Sequence, residues 1–275
     1  MKTNPKTSEP PENPPKDVAR EAPAFRHYRT IWISDAHLGW SASEAESLLD
    51  FLKHHEADYW FLVGDMVDGW MLKRNWYWPQ AHNDVVQKLL RKVRKGAQVV
   101  YIPGNHDEFA RRFAPIQLGG ISVMLESFHQ TADGRKLWIL HGDEFDSVVQ
   151  YAPWMAILGN NGYDLMIHLG RALNRLRRLL GLREWSLSAH IKQRVKNIVK
   201  FVTDYEQALA REARKRGANG VVCGHIHKAE IRPFDGVMYY NTGDWVESCT
   251  ALIEKHDGGM EIISWKKSLS NPAKL

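Results

Sequence analysis

Five short polar motifs occur in a fixed order along this 275-residue chain, and four of them directly follow an apolar run typical of a β-strand. Ligand-binding residues in open α/β sheets gather at the carboxyl ends of strands, so motifs that are distant in sequence are expected to converge there. Their carboxylate, imidazole and amide groups are ligand types that bind divalent cations, and one shared carboxylate would hold two cations close together. The motifs are Asp35-Ala36-His37, Gly64-Asp65-Met66-Val67-Asp68, Gly104-Asn105-His106-Asp107, His141-Gly142-Asp143 and Gly224-His225-Ile226-His227.

The pattern of apolar and turn residues predicts an α/β fold, namely a two-sheet β-sandwich flanked by helices. Strands first alternate with helices at 43–54 and 83–95, which favours right-handed crossovers and a partly parallel sheet. We expect Ser43 to cap the first helix, His54 and His55 to form its exposed end, and Gly96 to stop the second helix. Strands are predicted at 28–34, 59–63, 98–102, 127–131, 136–140, 220–223, 231–233, 237–240, 251–254 and 260–265.

Three segments are expected to differ from this sandwich. Residues 1–24 are rich in Pro, Lys and Glu, which predicts a disordered tail, and 269–275 form a second tail. The main domain is predicted at 25–268, with a helical insertion at about 145–216. The insertion carries two apolar helical stripes and has 13 Lys or Arg against 6 Asp or Glu, so the positive charge is concentrated there.

The composition indicates a globular protein, because 44% of its residues are hydrophobic and 11% are aromatic. We expect no transmembrane helix and no secretory signal, since long apolar runs are absent. Only two cysteines are present, which fits a reducing compartment and a cytoplasmic location. The net charge of +5 is mild, so it favours an anionic substrate or membrane surface but does not by itself indicate nucleic acid.

Each motif also has a purely structural interpretation. Asp107 and Asp143 have the chemistry of capping residues as well as of groups that orient a ligand. Cys223 adjoins the last motif, but strand alternation points it into the core. The remaining histidines have no partner motif. Chance placement of all five motifs in this order is improbable, which favours the metal site.

Together the motifs resemble the calcineurin-like metallophosphoesterase family over about residues 28–265. The resemblance implies two divalent metal ions, with Mn²⁺ favoured and Fe, Zn or Mg compatible with a ligand set that lacks thiolate. One ion would be held by Asp35, His37, Asp65 and His227, and the other by Asp65, Asn105, His141 and His225. Asp65 would therefore bridge the two ions.

The resemblance also implies the catalytic roles. His106 would lie near the phosphate, where it stabilises charge or protonates the leaving group, and Asp107 would orient His106. The family chemistry is attack of a metal-activated water at phosphorus, so no Ser or Cys nucleophile is required.

Within the family, residues 64–70, the inserted helices and residues 240–245 resemble the branch that contains UDP-2,3-diacylglucosamine hydrolase, a lipid A pathway enzyme. This implies hydrolysis of the pyrophosphate of an acylated sugar nucleotide. His106 departs from that branch, which has arginine at this position. The alternatives are a phosphodiesterase or phosphatase for another nucleotide, phospholipid or phosphoprotein and, from another class, a non-catalytic metal-bearing scaffold.

We interpret the insertion as a helical lid beside the metals. Leu165 and Leu169 would line an acyl-chain groove, and the basic side chains would meet phosphates or anionic lipid headgroups. On this interpretation the protein associates peripherally with the anionic inner face of a membrane. The alternative is that the two apolar stripes pack on each other and the basic face is solvated. The basic residues are Arg171, Arg175 and Arg178.

Overall fold

The computed structural model describes residues 26–148 and 202–266. The first half contains β1 (Arg26–Ile33), α1 (Ala45–His54), β2 (His55–Val63), α2 (Gly69–Arg74), α3 (Gln80–Arg94), β3 (Gln98–Ile102), a 3-10 helix (Glu108–Phe113), β4 (Ile116–Leu118), β5 (Ile121–Val123), β6 (Ser127–Gln130), β7 (Lys136–Ile139) and a second 3-10 helix (Asp143–Val148). The second half contains α4 (202–215), β8 (Gly220–Cys223), β9 (Glu230–Phe234), β10 (Val237–Asn241), β11 (Thr250–Glu254) and β12 (Met260–Ser264).

The described strands form two sheets. The larger sheet has seven strands in the order β12-β11-β1-β2-β3-β5-β4, and the smaller has five in the order β6-β7-β8-β10-β9. The strands β1, β2, β3 and β5 run parallel, as do β7, β8 and β10. These parallel cores are flanked by antiparallel strands, so the motifs that follow the parallel strands leave each sheet at one edge.

Alternate residues of β1 build two layers of core. Trp32 belongs to a buried cluster with Leu137 and Tyr240 of the smaller sheet, so this cluster joins the two sheets. Its neighbours Ile31 and Ile33 pack instead with apolar residues of α1 and α3. The helix α4 covers the outer face of the smaller sheet through a third cluster. The result is a helix–sheet–sheet–helix arrangement, which confirms the predicted two-sheet sandwich flanked by helices.

All ten predicted strands are present, and most of their ends agree to within one or two residues. The largest difference is at β2, which begins at His55 rather than at 59. The elements α2, β4 and β5 were not predicted. They have six, three and three residues, too few for an apolar period to appear in the sequence.

Two predictions at the ends of α1 are wrong. The helix begins at Ala45 without a side-chain cap, and the Ser43 hydroxyl instead donates a hydrogen bond to the carbonyl of Ala36 at 2.6 Å. His55 is buried rather than exposed, because β2 starts there with no intervening loop. Its ring stacks on Phe51 at 4.1 Å between centroids.

Both cysteines are free and buried. Among residues 26–148 and 202–266, no helix is long and apolar enough to cross a bilayer. The helix α4 falls within the predicted insertion, whereas residues 149–201 of that insertion lie outside the described part of the chain. The domain boundaries remain predictions.

Candidate metal centre

The predicted ligands leave the carboxyl ends of parallel strands in both sheets. The backbone pairing of β1 with β2 continues beyond the strands, because the Asp35 N–H donates to Gly64 O at 3.0 Å and the His37 N–H donates to Asp65 O at 2.8 Å. This pairing brings the first two motifs together. The ligands that emerge in this way are Asp35 after β1, Asp65 after β2, Asn105 after β3, His141 after β7 and His225 after β8.

Five predicted ligands have a left-handed backbone. Their φ angles are 52° for Asp35, 46° for His37, 51° for Asp65, 69° for His225 and 55° for His227. Asp and His enter this region more readily than most non-glycine residues, yet each such residue costs roughly 1–3 kcal/mol. Strain of this kind concentrates at functional sites, where the surrounding structure holds it in place.

A first cluster joins Asp35, His37 and His227, whose ligand atoms lie within 4.8 Å of one another. Asp35 Oδ2 accepts a hydrogen bond from the His225 N–H at 3.0 Å and contacts the hydroxyl of Ser34. These contacts fix the carboxylate. Asp35 Oδ1 then lies 3.1 Å from His227 Nε2, inside the cluster.

A second cluster joins Asp65, His141 and His225 within the same 4.8 Å limit. His141 Nδ1 lies 2.9 Å from the carbonyl of Val63, so Nδ1 carries the proton and the lone pair of Nε2 is available to a cation. The side-chain oxygen of Asn105 is buried and has no hydrogen-bond partner within the part of the chain that the structure describes.

Asp65 lies between the two clusters. Its Oδ2 is 3.3 Å from His141 Nε2 and 3.9 Å from His37 Nε2. Its Oδ1 accepts a hydrogen bond from the His106 N–H at 2.8 Å. A Cβ on Gly104 would lie 2.2 Å from this Oδ1, so the position leaves no room for a side chain. One carboxylate is thereby placed within reach of both clusters.

The electrostatics favour positive charge throughout this centre. Burial alone would lower the pKa of His141, but the carboxylates of Asp65 and Asp35 outweigh burial and raise the pKa to about 10. Burial would likewise raise the pKa of Asp65, but His141 lowers it to about 2. The pKa of His227 rises to about 9, against the effect of burial, chiefly because of Asp35. Cations would replace these protons on binding.

Buried acceptor atoms without a partner give an independent structural reason to expect divalent cations at these residues. Among the described residues, four buried acceptor atoms of the predicted ligands have no hydrogen-bond partner, although an unpaired buried polar group costs roughly 1–3 kcal/mol. Cations in the two clusters would satisfy such lone pairs, and the oxygen and nitrogen donors without thiolate suit Mn²⁺, Fe or Zn. The four atoms are Asp35 Oδ1, His37 Nε2, Asn105 Oδ1 and His141 Nε2.

The predicted catalytic pair is rearranged in the structure. The His106 ring contacts Asp68, with Nδ1 lying 3.1 Å from Asp68 Oδ2. The Asp107 carboxylate instead accepts hydrogen bonds from the Gly104 N–H at 2.5 Å, from the Met66 N–H at 2.8 Å, from two further amides of the second motif loop and from the Tyr101 hydroxyl of β3. Asp107 therefore holds these loops together. The carboxylate predicted to contact His106 was that of Asp107, and in the structure it is that of Asp68.

Asp68 is the main residue that the sequence analysis missed. Its Oδ2 also lies 3.0 Å from His37 Nδ1, and its Oδ1 accepts a hydrogen bond from the Met71 N–H at the start of α2. The residue ends the second motif, so its spacing from Asp65 was the available signal. Trp70 follows two residues later, and its ring lies 4.1 Å from that of His106 between centroids.

The other predicted site residues lie elsewhere. Asp143 contacts the guanidinium of Arg111 at 2.5 Å rather than either ligand cluster. The five predicted substrate-binding residues all fall outside the described residues, so their roles remain predictions. They are Leu165, Leu169, Arg171, Arg175 and Arg178.

Comparison with solved structures gives distant matches. A novel archaeal phosphodiesterase is 13% identical, with a TM-score of 0.41, and the match covers 86% of this chain and 98% of that protein. Vps29 from Entamoeba histolytica, solved in complex with zinc, is 14% identical, with a TM-score of 0.40 and coverage of 86% and 99%.

Sequence comparison gives a match of higher identity. The UDP-2,3-diacylglucosamine hydrolase of Neisseria meningitidis serogroup B is 26% identical over 254 residues, which are 86% of this chain and 98% of the relative. The model of the calcineurin-like phosphoesterase family, whose members depend on metals, matches residues 28–229. This match spans most of the sandwich and includes every predicted ligand, so the chain belongs to the calcineurin-like phosphoesterase family.

Proposed function

We propose that this protein is a two-metal phosphohydrolase that cleaves the pyrophosphate of UDP-2,3-diacylglucosamine or of a related lipid-linked substrate. The observation that carries the proposal is the pair of ligand clusters with the Asp65 carboxylate between them. The substrate class is supported by the N. meningitidis hydrolase, which is similar to this chain over almost its whole length.

The predicted ligands would hold two cations, with one ligand shared between them. Asp35, His37 and His227 would hold one cation, and Asn105, His141 and His225 would hold the other, with Asp65 shared. Bound cations would supply Lewis-acid polarisation of a phosphoryl oxygen and would lower the pKa of water. No thiolate or serine nucleophile takes part in this assignment.

His106 is the residue placed to handle a proton. Its side chain is 24% exposed, so a substrate reaches it, and Nδ1 faces Asp68, which leaves Nε2 for the substrate. Burial alone would lower the pKa of His106, but the contact with Asp68 and the nearby carboxylates outweigh burial and raise the pKa. A protonated His106 would donate from Nε2 to a phosphoryl or leaving-group oxygen.

Hydrolysis of bis-p-nitrophenyl phosphate with added Mn²⁺ tests the reaction class. We expect turnover that requires the divalent ion and is abolished in Asp65→Ala and His141→Ala. Absence of metal-dependent turnover on any phosphoester or phosphoanhydride would favour the metal-bearing scaffold instead. Every ligand position is filled, and this supports the enzyme over the scaffold.

Mass spectrometry of ligand extracted from the purified protein tests the substrate class without assuming it. A copurifying acylated sugar phosphate supports the proposal. A copurifying nucleotide or phosphopeptide without an acyl chain would favour the alternative phosphodiesterase or phosphatase. The specific observation behind that alternative is His106, where the hydrolase branch has arginine.

The helical lid and membrane association are further parts of this proposal. Leu165→Glu and Leu169→Glu should reduce hydrolysis of acylated substrates more than hydrolysis of water-soluble diesters. Equal losses on both would count against an acyl groove. The basic residues Arg171, Arg175 and Arg178 would meet the phosphates or anionic headgroups, and the protein would act in the cytoplasm at the inner membrane face.

A further inference from the structure

The end of β10 lies against the metal centre, although none of its residues is a predicted ligand. Asn241 is the last residue of this strand, and Thr242 follows it. Both residues are fully buried. Their side chains make hydrogen bonds that lead by two routes to a single atom of the first ligand cluster, Oδ2 of Asp35.

The first route consists of two hydroxyl groups. The Thr242 hydroxyl oxygen lies 2.5 Å from that of Ser34, and the Ser34 hydroxyl contacts Asp35 Oδ2. Ser34 has one hydrogen to donate, and its possible acceptors are this carboxylate and the carbonyl of Gly243 at 3.0 Å. A charged acceptor forms the stronger hydrogen bond. Ser34 therefore donates to Asp35 and accepts from Thr242.

The second route passes through the peptide group between Gly224 and His225. The side-chain N–H of Asn241 donates to the carbonyl of Gly224 at 2.7 Å, and the His225 N–H donates to Asp35 Oδ2 at 3.0 Å. The side-chain oxygen of Asn241 accepts a hydrogen bond from the Gly243 N–H at 3.0 Å, which fixes the orientation of the amide. This peptide group is therefore held from both sides, and linked hydrogen bonds of this kind strengthen one another.

The two routes meet where the carboxylate has little room to move. A Cβ on Gly224 would lie 2.4 Å from Asp35 Oδ2 and 2.5 Å from Ser34 Oγ, so the loop packs directly on both groups. The other oxygen, Asp35 Oδ1, has no hydrogen-bond partner among the described residues and lies 3.1 Å from His227 Nε2. The routes therefore occupy one carboxylate oxygen and leave the other for a cation.

The second ligand cluster is held by different contacts. His141 Nδ1 donates to the carbonyl of Val63, and Asp65 Oδ1 accepts a hydrogen bond from the His106 N–H. The hydroxyl groups of Ser34 and Thr242 take part in neither contact. The hydroxyl route is therefore specific to the first cluster.

We propose that Thr242 and Asn241 are positioning residues that hold Asp35 so that it binds a cation through Oδ1 alone. Loss of the hydroxyl route leaves Oδ2 with one donor fewer, and the carboxylate is then free to turn away from His227. The affinity for the ion of the first cluster falls, whereas the ion of the second cluster keeps its ligands. The inference rests on the two-metal assignment of the proposed function and adds residues that set the affinity for one ion.

Calorimetric titration of Mn²⁺ into the metal-free full chain tests the inference, because it reports each ion independently of turnover. In Thr242→Val, which removes the hydroxyl at almost constant shape, the affinity for one ion should fall by about 10- to 100-fold, as for other residues that orient a metal ligand. The affinity for the other ion should stay within about twofold. Thr242→Ser restores the hydroxyl and should restore the affinity. His227→Ala removes a ligand of the first cluster alone and so identifies the ion that is affected.

A double-mutant cycle tests whether Thr242 acts through Ser34. Ser34→Ala should weaken binding of the same ion. Adding Thr242→Val to Ser34→Ala should weaken it by no more than about a further twofold, because the shared route is already broken. Losses that multiply in the double variant would mean that Thr242 acts without Ser34, and would overturn the inference.

The matched control is Thr30→Val. Thr30 is as fully buried as Thr242, and its hydroxyl also donates to a buried carboxylate, but this partner is Glu254 at 2.6 Å, which is not a predicted ligand. The variant should lose stability and keep both Mn²⁺ affinities. Thermal melts of the metal-free proteins establish that each variant is folded, and Ser34→Ala carries the test if Thr242→Val does not fold.

Three further results would overturn the inference. They are unchanged affinity for both ions in folded Thr242→Val, equal losses for both ions, and a loss in Thr242→Ser as large as that in Thr242→Val. Each of these leaves the proposed function intact, since the unaltered chain still binds two ions. Binding of fewer than two Mn²⁺ ions by the unaltered chain would instead contradict the proposed function, and the inference with it.

Discussion

Replacing Asp68 with Asn removes the negative charge that His37 and His106 both contact, and so tests the role of that charge. Asp68 Oδ2 lies 3.0 Å from His37 Nδ1 and 3.1 Å from His106 Nδ1, while Oδ1 accepts a hydrogen bond from the Met71 N–H at 2.8 Å. Asn retains this last contact at the start of α2. The free energy of unfolding should therefore change by less than about 1 kcal/mol.

The effect on turnover should be larger. The 3.1 Å contact of Asp68 with His106 is an ion pair when His106 is protonated, and a charge-assisted interaction of about 1.5–3 kcal/mol lost with the Asp68 charge should lower kcat by roughly 10- to 150-fold. Weakening the contact to His37 should lower the affinity for one metal ion by about 10- to 100-fold.

The assay is kcat on bis-p-nitrophenyl phosphate across a Mn²⁺ titration, because saturating metal separates the two effects. Asp84→Asn on α3, where the carboxylate contacts only Gln80 among the hydrogen bonds of the described residues, is the matched control and should leave kcat and metal affinity unchanged. A kcat for Asp68→Asn within twofold of the unaltered enzyme at saturating Mn²⁺ would refute the assignment of Asp68 as the residue that orients His106.

Three further predictions concern stability and metal affinity. Burial would raise the pKa of Glu254, but its buried hydrogen bonds outweigh burial and lower the pKa from 4.5 to about 2. At pH values above the unfolded pKa of Glu254, its charged form should therefore contribute about 3 kcal/mol to the free energy of unfolding. This contribution should be lost as the pH falls toward 2. In urea unfolding, Glu254→Gln should lower the free energy of unfolding by that amount at neutral pH and by less in acid. The surface control Glu261→Gln should lower it by almost nothing. A loss for Glu254→Gln that does not depend on pH would contradict this. Gly64→Ala should weaken Mn²⁺ binding measured by calorimetry, because φ is +80° and a Cβ would lie 2.1 Å from His141 Nδ1. Gly217→Ala, with φ of +66° and nothing within 4 Å, should lose stability but no metal affinity. Chelation by EDTA should lower the melting temperature, and Mn²⁺ at a hundred times its Kd should restore about 2.7 kcal/mol; an unchanged melting temperature would count against resident metals.

The strands and the motif positions were predictable because each β-type run is short, apolar and bounded by turn residues. The apolar run ending at Val63 predicts a buried strand, and the polar residues after it predict ligands at its carboxyl end. The small elements were not predictable, since pairing with neighbours rather than local pattern decides whether three residues such as Ile116–Leu118 form a strand.

Roles within one turn were the hardest to predict. His106 and Asp107 are adjacent in sequence, yet one side chain faces the cleft and the other turns back to the loop amides. Sequence spacing does not encode these directions. They are set by the tight turn after β3, whose conformation depends on tertiary contacts with the second motif loop.

The left-handed backbone of the ligands has an evolutionary consequence. At Asp35, His37, Asp65, His225 and His227 the main chain itself restricts replacements, since Val, Ile and other branched residues are strongly disfavoured there. Descendants that abandoned hydrolysis would be expected to substitute Asn or Gly at these positions, as both tolerate the same φ. The backbone conformation of these loops would then persist after catalysis is lost. An inactive descendant would keep the loop geometry of the former metal site.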